Sequence, residues 1–341
     1  MVDDVTDGSA GYVPLAAVER SGFDEGIHFG RLIAIAENGD VAFAYGDVAA
    51  LVHPRSANKL MQAAAMRSLG LELEGELLAL SAASHWGEPQ HVDAVRAVLA
   101  SAGLDESALQ TTPALPEDAD ARRDVVRGDG VARPAFHGCS GKHAAMLATC
   151  VVQGWDVATY LEPEHPLQRA LRTFVETSIG RPVSHTAVDG CGAPAWAMPL
   201  ETLALAYRRA VTPRRYGDYL PADTPERPSE LGAVADAMRA HPEFVGGERS
   251  EVTGLMRTVP GLLVKDGAES IYVAALPDGR AVAIKIADGG FRAGQAVLVA
   301  ALRALGVESD PGVDAEAFES WGTLPVLGHG EQVGRIRPLI G

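Results

Sequence analysis

The stretch His53-Pro54-Arg55-Ser56-Ala57-Asn58-Lys59 decides the fold prediction, because it links a strand-rich segment to an alanine-rich run at 60–66 that is predicted to be helical. Ser56 and Lys59 are three positions apart and share one face of a first helical turn. A serine hydroxyl is a weak nucleophile and needs a base, a role that a desolvated amine can fill. The stretch therefore predicts a Ser–Lys catalytic pair. The alternative, on these letters alone, is a serine that caps a helix beside an exposed lysine.

The composition indicates a globular protein without a nucleic-acid or membrane partner. The 341 residues fit one large or two modest domains, 47% of them are hydrophobic and 22% charged, and the formal net charge is -16. Nucleic-acid binding needs a basic surface, and no apolar run reaches the length of a membrane helix. Residues 1–7 lack the features of a signal peptide, and three cysteines fit a reducing compartment better than a disulfide framework. We therefore expect a cytoplasmic protein.

The periodicity predicts a sheet interrupted by helices. Two strands, 28–36 and 41–45, flank the hairpin signal Asn38-Gly39 and follow an N-terminal segment, 1–24, whose first ten residues are expected to be disordered. Between about 56 and 245 the pattern is helical, apart from loops at 105–133 and 211–228. The predicted helices are 58–69, 75–84, 90–103, 142–153, 165–178, 198–210 and 229–240. The later elements are strands at 262–265, 270–275 and 281–286 and a helix at 291–305, and the tail 307–341 has no clear pattern.

This order predicts an α/β (α+β) fold in one catalytic unit, residues 25–341. Its antiparallel sheet is expected from about 25–48 and 260–306, with flanking helices and a large helical insertion at about 56–245. Serine β-lactamases and penicillin-binding proteins have the same outline, with Ser-x-x-Lys at the start of the helical part.

Two further motifs occur at the junctions where such a fold would need them. Ser84-His85-Trp86-Gly87-Glu88 separates two predicted helices and offers a second hydroxyl at Ser84, or else is a capped loop with a solvated Glu88. Lys265-Asp266-Gly267 ends the first strand after the helical region, where β-lactamases carry Lys-Thr-Gly. The alternative for Lys265 is an exposed lysine before an ordinary turn.

Two cysteines lie in glycine-rich junctions near charged residues. His137-Gly138-Cys139-Ser140-Gly141-Lys142-His143 opens one predicted helix, and Val188-Asp189-Gly190-Cys191-Gly192 precedes another. Cys139, Asp189 and Cys191 offer two thiolates and a carboxylate, which with one water would complete a tetrahedral zinc. The spacing is not that of a zinc finger, so the alternative is three small polar loop residues. Cys150, on an apolar helical face, is predicted to be a core residue.

These motifs together resemble the bacterial L-asparaginase II family, the rhizobial-type asparaginases. The resemblance covers roughly residues 25–305 and is carried above all by Cys-Ser-Gly-Lys-His at 139–143 and Asp-Gly-Cys-Gly at 189–192. It implies a β-lactamase-like fold, hydrolysis of L-asparagine and a homodimer. It also implies two Ser–Lys tandems, matching Ser56 with Lys59 and Ser84 with Lys265, and zinc (Zn2+) held by Cys139, Asp189 and Cys191.

The sequence departs from the family pattern in two places. Gly138 stands where an asparagine or another polar residue is expected before the cysteine. Arg249-Ser250-Glu251-Val252 stands where Arg-x-Asp-Thr is usual.

The sequence thus predicts an amidohydrolase in which Ser56 attacks the side-chain amide of asparagine and Lys59 takes its proton. The predicted contacts with substrate are Arg55 to the α-carboxylate, together with Lys142, His143 and Glu88. One alternative is a β-lactamase-like enzyme or D-amino-acid peptidase on the same scaffold. The other is a zinc-stabilised protein that binds asparagine without turnover.

Overall fold

The computed structural model describes residues 11–212 and 230–340. The chain divides into two compact units, which are considered one at a time. The sheet unit comprises Met1–Ala57, Met198–Arg208 and Leu255–Gly341, and the helical unit comprises Asn58–Ala197 and Arg209–Gly254. The first ten residues and positions 213–228 of the predicted second loop lie outside the described residues.

The sheet unit contains an eight-stranded antiparallel sheet. Its strands are β1 Val13–Arg20, β2 Phe23–Ile35, β3 Val41–Tyr45, β8 Leu263–Gly267, β9 Ile271–Ala275, β10 Ala281–Ile286, β11 Pro325–Gly328 and β12 Glu331–Pro338. The strand order is β11-β12-β1-β2-β10-β9-β8, and β3 also pairs with β2. A separate two-stranded ribbon pairs β4 Leu51–Val52 with β7 Met198–Pro199. The predicted hairpin and the three predicted later strands are confirmed by β2–β3 and β8–β10.

Strand β1 lies inside the 1–24 segment that the sequence prediction left outside the catalytic unit. It pairs with β2 on one side and β12 on the other. The prediction missed it because Leu15, Ala16, Ala17 and Val18 are all buried, so the stretch lacks the alternation of a strand with one solvated face. The folded unit therefore begins before residue 24.

The sheet unit also contains two helices that pack on each other, the second of which comes from the tail at 307–341. Helix α11, Phe291–Ala304, packs on the sheet and on α12, Ala315–Gly322. The first confirms the predicted helix at 291–305, whereas α12, β11 and β12 all come from the tail that predicted no element. These three elements are short and contain few buried side chains, among them Phe318 and Ile336, so no hydrophobic periodicity predicted them.

The helical unit is built around one buried helix. Its helices are α1 Lys59–Ser68, α2 Gly75–Ser81, α3 Pro89–Ser101, α4 Ala119–Arg127, α5 Ser140–Gln153, α6 Pro166–Ile179, α8 Glu230–Ala240 and α9 Pro242–Val245. Every residue of α5 from Ser140 to Cys150 is buried, as the core prediction for Cys150 required. A hairpin pairs β5 Thr186–Val188 with β6 Pro194–Trp196. Two helices, α7 Leu200–Val211 and α10 Glu251–Thr258, run across the chain positions at which the units divide.

The predicted fold class is confirmed. An antiparallel sheet with helices is present, and the large helical insertion follows β3 and β4 in the chain and precedes β8. The predicted helices end within three residues of the observed ones, and the predicted loop at 105–133 additionally contains α4. Among the described residues, no helix has both the length and the apolar character needed to cross a membrane.

Candidate active site

Ser56 lies in the sheet unit, in a 3-10 helix, Arg55–Asn58, that leads directly into α1. Arg55 has a φ of 50°, a left-handed conformation that is costly for a residue with a side chain and is common next to functional groups. The N–H of Ala57 donates to the carbonyl of Pro54 at 3.0 Å, and the carbonyl of Ala57 accepts from the buried hydroxyl of Tyr207 at 2.9 Å. The backbone on both sides of Ser56 is therefore held in place.

The Lys265-Asp266-Gly267 motif meets this segment at its glycine. A Cβ at Gly267 would lie 2.5 Å from the carbonyl oxygen of Pro54 and 3.3 Å from the nitrogen of Ala57. Only glycine permits this approach, so the glycine of the motif serves the backbone around Ser56. Lys265 is fully buried, and its ammonium donates to the carboxylate of Asp266 and, at 2.9 Å, to the Asp266 carbonyl. The tandem of Lys265 with Ser84 remains a prediction.

Lys59 is buried at the first position of α1 in the helical unit, where its side chain is 1% exposed. Its Nζ lies 3.2 Å from the Oγ of Ser84 and also donates to the carbonyl of Ala83. Ser84 follows α2, and its N–H donates to the carbonyl of Val245 at 2.8 Å. Within the helical unit Lys59 is therefore the amine beside Ser84, a contact that the sequence prediction did not contain. The predicted tandem of Lys59 with Ser56 stays a prediction.

His85 links the Ser84 segment to α5 through a directed chain of hydrogen bonds. Its Nδ1 accepts from the N–H of Gly87 at 3.1 Å, so its Nε2–H donates to Ser140 at 2.8 Å, and the Ser140 hydroxyl donates to Ala135 at 2.8 Å. Burial, followed by the nearby His91 and Lys59, holds the pKa of His85 well below its usual value, so the ring is neutral. Ser140 is part of the Cys139–His143 motif, yet sequence analysis gave it no role.

Gly138 is explained by the same contact. Its carbonyl accepts from the N–H of His85 at 3.1 Å, and a Cβ at Gly138 would lie 3.0 Å from the carbonyl oxygen of His85. The close approach of these two backbones favours glycine where the family pattern led us to expect a polar residue.

Glu88 is engaged at the start of α3. Its Oε1 accepts from the N–H of Glu248 and its Oε2 from the amide of Gln90, both at 2.9 Å, and its own N–H donates to His91 at 3.1 Å. These contacts organise a helix terminus. A contact between Glu88 and substrate remains a prediction.

The second departure from the family pattern falls at another helix terminus. The Oγ of Ser250 accepts from the N–H of Thr253 at 3.1 Å, just before α10. Arg249 forms ion pairs with Asp118 at 2.5 Å and Asp120 at 2.9 Å, within the helical unit. Arg249 and Ser250 thus stabilise the local loop.

The two predicted metal-binding segments come together around Lys142. Cys139 precedes α5, whereas Asp189 and Cys191 belong to the connection between β5 and β6. The ammonium of Lys142 donates to the sulfur of Cys191 at 3.2 Å, and the thiol of Cys191 is hydrogen-bonded to Cys139.

The hydrogen bond between the two cysteines shifts their pKa values in opposite directions. The hydrogen bond from Cys191, together with the positive charges of Lys59 and Lys142, holds the pKa of Cys139 well below its usual value despite burial. The pKa of Cys191 is raised because it is the donor in that bond and is buried. Burial alone would lower the pKa of Lys142, but the two sulfurs and Asp189 raise it. The lowered pKa of Cys139 and the raised pKa of Lys142 favour a thiolate beside an ammonium.

The donor set fits zinc in its chemistry. The group contains two cysteine sulfurs that are hydrogen-bonded to each other and a carboxylate that acts on the same ammonium. Sulfur ligands of this kind bind zinc in preference to magnesium or calcium. Within residues 11–212 and 230–340, however, no group of three or more His, Cys, Asp or Glu side chains is already arranged to hold a metal ion. The zinc site remains a prediction.

His143 carries an unsatisfied ring nitrogen in the interior of the helical unit. The ring is fully buried, its Nδ1 lies 2.7 Å from the hydroxyl of Tyr160, and its Nε2 has no hydrogen-bond partner in the described structure. Burial, and then the charge of Lys142, keeps the pKa of His143 well below its usual value. Sequence reasoning missed Tyr160 because no motif surrounds it.

The family comparison agrees with these motifs. The chain matches the family model for L-asparaginase II over residues 16–338, and no curated protein matches it. Among solved structures it is similar to a Bacillus glutaminase, with 12% identity, 82% of this chain and 91% of that chain covered, and a TM-score of 0.38. It is also similar to a probable glutaminase of Bacillus subtilis, with 12% identity, 82% and 88% covered and a TM-score of 0.38. It is also similar to the structure titled Mglu, with 14% identity, 82% of this chain and 67% of that chain covered, and a TM-score of 0.37. Because the family model spans nearly all of the sequence, the chain belongs to the L-asparaginase II family.

Proposed function

We propose that this protein hydrolyses L-asparagine to L-aspartate and ammonia through a serine ester intermediate. Membership of the L-asparaginase II family supports an amidohydrolase that acts on amides. The observation that carries the Ser–Lys mechanism is the buried amine of Lys59, with its Nζ 3.2 Å from the hydroxyl oxygen of Ser84. A lysine in this position is the base that serine chemistry requires in the absence of a histidine partner.

The proposed reaction has two halves. The Oγ of Ser56 attacks the side-chain amide carbon of asparagine, and its proton passes to the neutral amine of Lys59. The amide nitrogen then takes up that proton, the carbon–nitrogen bond breaks, and ammonia leaves a β-aspartyl ester on Ser56. Water adds to the ester, its proton is relayed through Ser84 and Lys59 to the Oγ of Ser56, the bond between that Oγ and the acyl carbon breaks, and aspartate is released. Lys265 is proposed to orient Ser84.

Substrate recognition is proposed to use the charged and polar groups that the sequence motifs supply. Arg55 is suited to the α-carboxylate, because a guanidinium forms bidentate hydrogen bonds with that group. His143 offers a ring nitrogen that has no hydrogen-bond partner among the described residues, and Lys142 offers a buried ammonium. Glu88 is the proposed partner of the α-ammonium.

Zinc is proposed at Cys139, Asp189 and Cys191. When bound there, the metal would supply a Lewis acid and would tie the start of α5 to the β5–β6 loop. Without the metal, the ammonium of Lys142 provides a positive charge that interacts favourably with the two sulfurs and the carboxylate. The proposal also includes the predicted cytoplasmic homodimer.

One incubation separates the amidohydrolase from both alternatives. Purified protein is incubated with L-asparagine, L-glutamine and a chromogenic β-lactam in parallel, and ammonia and ring opening are measured. We expect ammonia from asparagine without ring opening. Ring opening without ammonia would instead indicate a β-lactamase-like enzyme, and binding without ammonia would indicate a protein that only binds asparagine.

The identity of the nucleophile is tested by trapping the ester. The reaction is quenched with acid, and peptides are mapped by mass spectrometry for the aspartyl group. We expect it on the peptide containing Ser56, absent in Ser56→Ala and retained in Ser84→Ala, which turns over slowly. The control is Ser81→Ala, which removes a buried hydroxyl that donates to the carbonyl of Leu78 at 2.6 Å. Recovery of the group on Ser84 would reverse the assignment.

A further inference from the structure

We propose that Tyr160 is a positioning residue that holds His143 in the tautomer protonated at Nε2, so that His143 presents an N–H donor to the amide substrate. The proposal rests on the proposed function for its substrate. Its structural part concerns only Gln110, Tyr160 and His143, which all lie in the helical unit.

The direction of the hydrogen bonds follows from what each group can donate. The backbone N–H of Gln110 points to the Tyr160 hydroxyl oxygen at 3.4 Å, so that oxygen acts as an acceptor there. Among the described residues the acceptor available to the phenolic hydrogen is the Nδ1 of His143, 2.7 Å away, so donation from Tyr160 to Nδ1 is the arrangement that uses this hydrogen. A neutral histidine that accepts at Nδ1 must carry its proton on Nε2.

Tyr160 is well suited to this role because it is fixed at both ends. It is fully buried, and its backbone carbonyl accepts from the side-chain amide of Gln168 at 2.8 Å. Its ring meets the ring of His143 edge to face, with centroids 5.6 Å apart. These contacts hold the hydroxyl beside Nδ1 and favour the present orientation of the His143 ring.

The consequence is a buried N–H donor that the described structure leaves unsatisfied. Such a group is unfavourable in the free protein and becomes favourable when a ligand oxygen accepts from it. The ammonium groups of Lys59 and Lys142 act on the same ring. The matching ligand atom is therefore an oxygen with partial or full negative charge, as in a carboxylate or a polarised amide carbonyl.

The tautomer can be measured without any assay of activity. In protein labelled with 15N-histidine, the His143 signals are identified by their loss in His143→Gln, and their chemical shifts report which ring nitrogen carries the proton. We expect a single tautomer protonated at Nε2 in the unsubstituted protein. In Tyr160→Phe we expect a mixture of tautomers, because Nδ1 has lost its donor.

A double-mutant cycle tests the functional part. The amide of His143→Gln can donate a hydrogen bond without help from Tyr160, so Tyr160→Phe should lower kcat/KM about tenfold in the parent and less than about twofold in the His143→Gln background. The control is Thr111→Val, which removes another buried hydroxyl of the helical unit, bonded to Pro134 at 2.9 Å. It should change neither the His143 signals nor kcat/KM.

The possible results are distinct. An Nδ1-protonated tautomer in the parent, or unchanged His143 signals in Tyr160→Phe, overturns the positioning role whatever the substrate is. The expected tautomer shift, combined with equal losses of kcat/KM in both backgrounds, overturns the donation to substrate. If asparagine is not hydrolysed, the NMR result still decides the structural part, and the failure belongs to the proposed function.

Discussion

At the residue scale, Lys59 is the group on which the proposed chemistry depends most. It is 1% exposed, and its Nζ donates to the carbonyl of Ala83 and lies 3.2 Å from the Oγ of Ser84. Burial of an ionisable side chain is unfavourable unless it is hydrogen-bonded, and positions of this kind are frequently functional. The Ser-x-x-Lys pattern identified this lysine from the sequence, but its contact with Ser84, 25 positions away, depends on tertiary structure.

Replacing Lys59 should separate catalysis from folding. Lys59→Met removes the amine while keeping a similar apolar stem, so we expect kcat to fall about 100- to 10,000-fold with little change in Tm. Lys59→Arg should not restore activity, because a guanidinium does not release its proton. Ammonia release and thermal unfolding are measured side by side. A Lys59→Met protein with at least a tenth of the parental kcat would contradict the role as base.

Gly267 should matter for activity through the backbone of Ser56. In Gly267→Ala the added Cβ would lie 2.5 Å from the Pro54 carbonyl oxygen, which is too close for either backbone to remain in place. We expect kcat to fall at least about tenfold, since displacement of a nucleophile by a fraction of an ångström already impairs attack. Gly26→Ala is the matched control, because its Cβ would meet only Val18, at 3.8 Å. Equal kcat values for the two variants would contradict this explanation.

At the element scale, the start of α5 contains most of what is specific to the family. Its buried residues include Ser140, Lys142 and His143, which meet His85, Cys191 and Tyr160, respectively. Gly141 has no chemical role among them. Its absent Cβ would lie 2.6 Å from the carbonyl oxygen of Leu80, so it allows α5 to pack closely on α2.

Gly141→Ala should therefore lower stability through helix packing. A clash of this kind in a close-packed core costs about 1–3 kcal/mol, which outweighs the gain in helix propensity from glycine to alanine. Urea unfolding of the variant and the parent measures the difference. A variant as stable as the parent would show that α2 and α5 can separate without cost.

Zinc should connect α5 with the β5–β6 loop. Elemental analysis is expected to give about one zinc per chain, decreasing in Cys191→Ser, because two sulfurs and a carboxylate favour this metal. Removal of zinc by a chelator should also expose Cys139 to alkylation, since the pKa of its thiol is held well below the usual value. Cys150 is the internal comparison, because burial raises the pKa of its thiol to about 12. Metal-free protein with full activity and no response to zinc would contradict the site.

The elements also show how far the sequence prediction reached. Helices α5 and α6 were predicted to within two residues because their apolar positions repeat with the helical period. Strands β1, β11 and β12 were not predicted from the sequence. They are defined by pairing with other strands, which local periodicity does not indicate. The site was predicted where residues cluster in motifs. The Tyr160–His143 and Lys59–Ser84 contacts join residues 17 and 25 positions apart, which no local motif could indicate.

At the scale of the whole molecule, the buried neutral histidines should make stability depend on pH. Burial holds the pKa values of His85 and His143 well below the usual 6.5, and it also lowers that of His91. These rings stay uncharged in the folded protein but take up protons on unfolding below about pH 6.5. The unfolded state then binds more protons than the folded state, so the free energy of unfolding falls as the pH falls.

Acidification from pH 7.5 to 5.5 is therefore expected to destabilise the protein well before carboxylates titrate. Each histidine that remains neutral in the folded state contributes a slope of up to about 1.4 kcal/mol per pH unit below its unfolded pKa. The lowered pKa of Cys139 acts in the same direction. Urea unfolding at several pH values measures the slope. His143→Gln should reduce the slope by up to about 1.4 kcal/mol per pH unit, because glutamine does not titrate. A free energy of unfolding that is constant over this range, or a slope unchanged in His143→Gln, would mean that His143 takes up its proton in the folded protein.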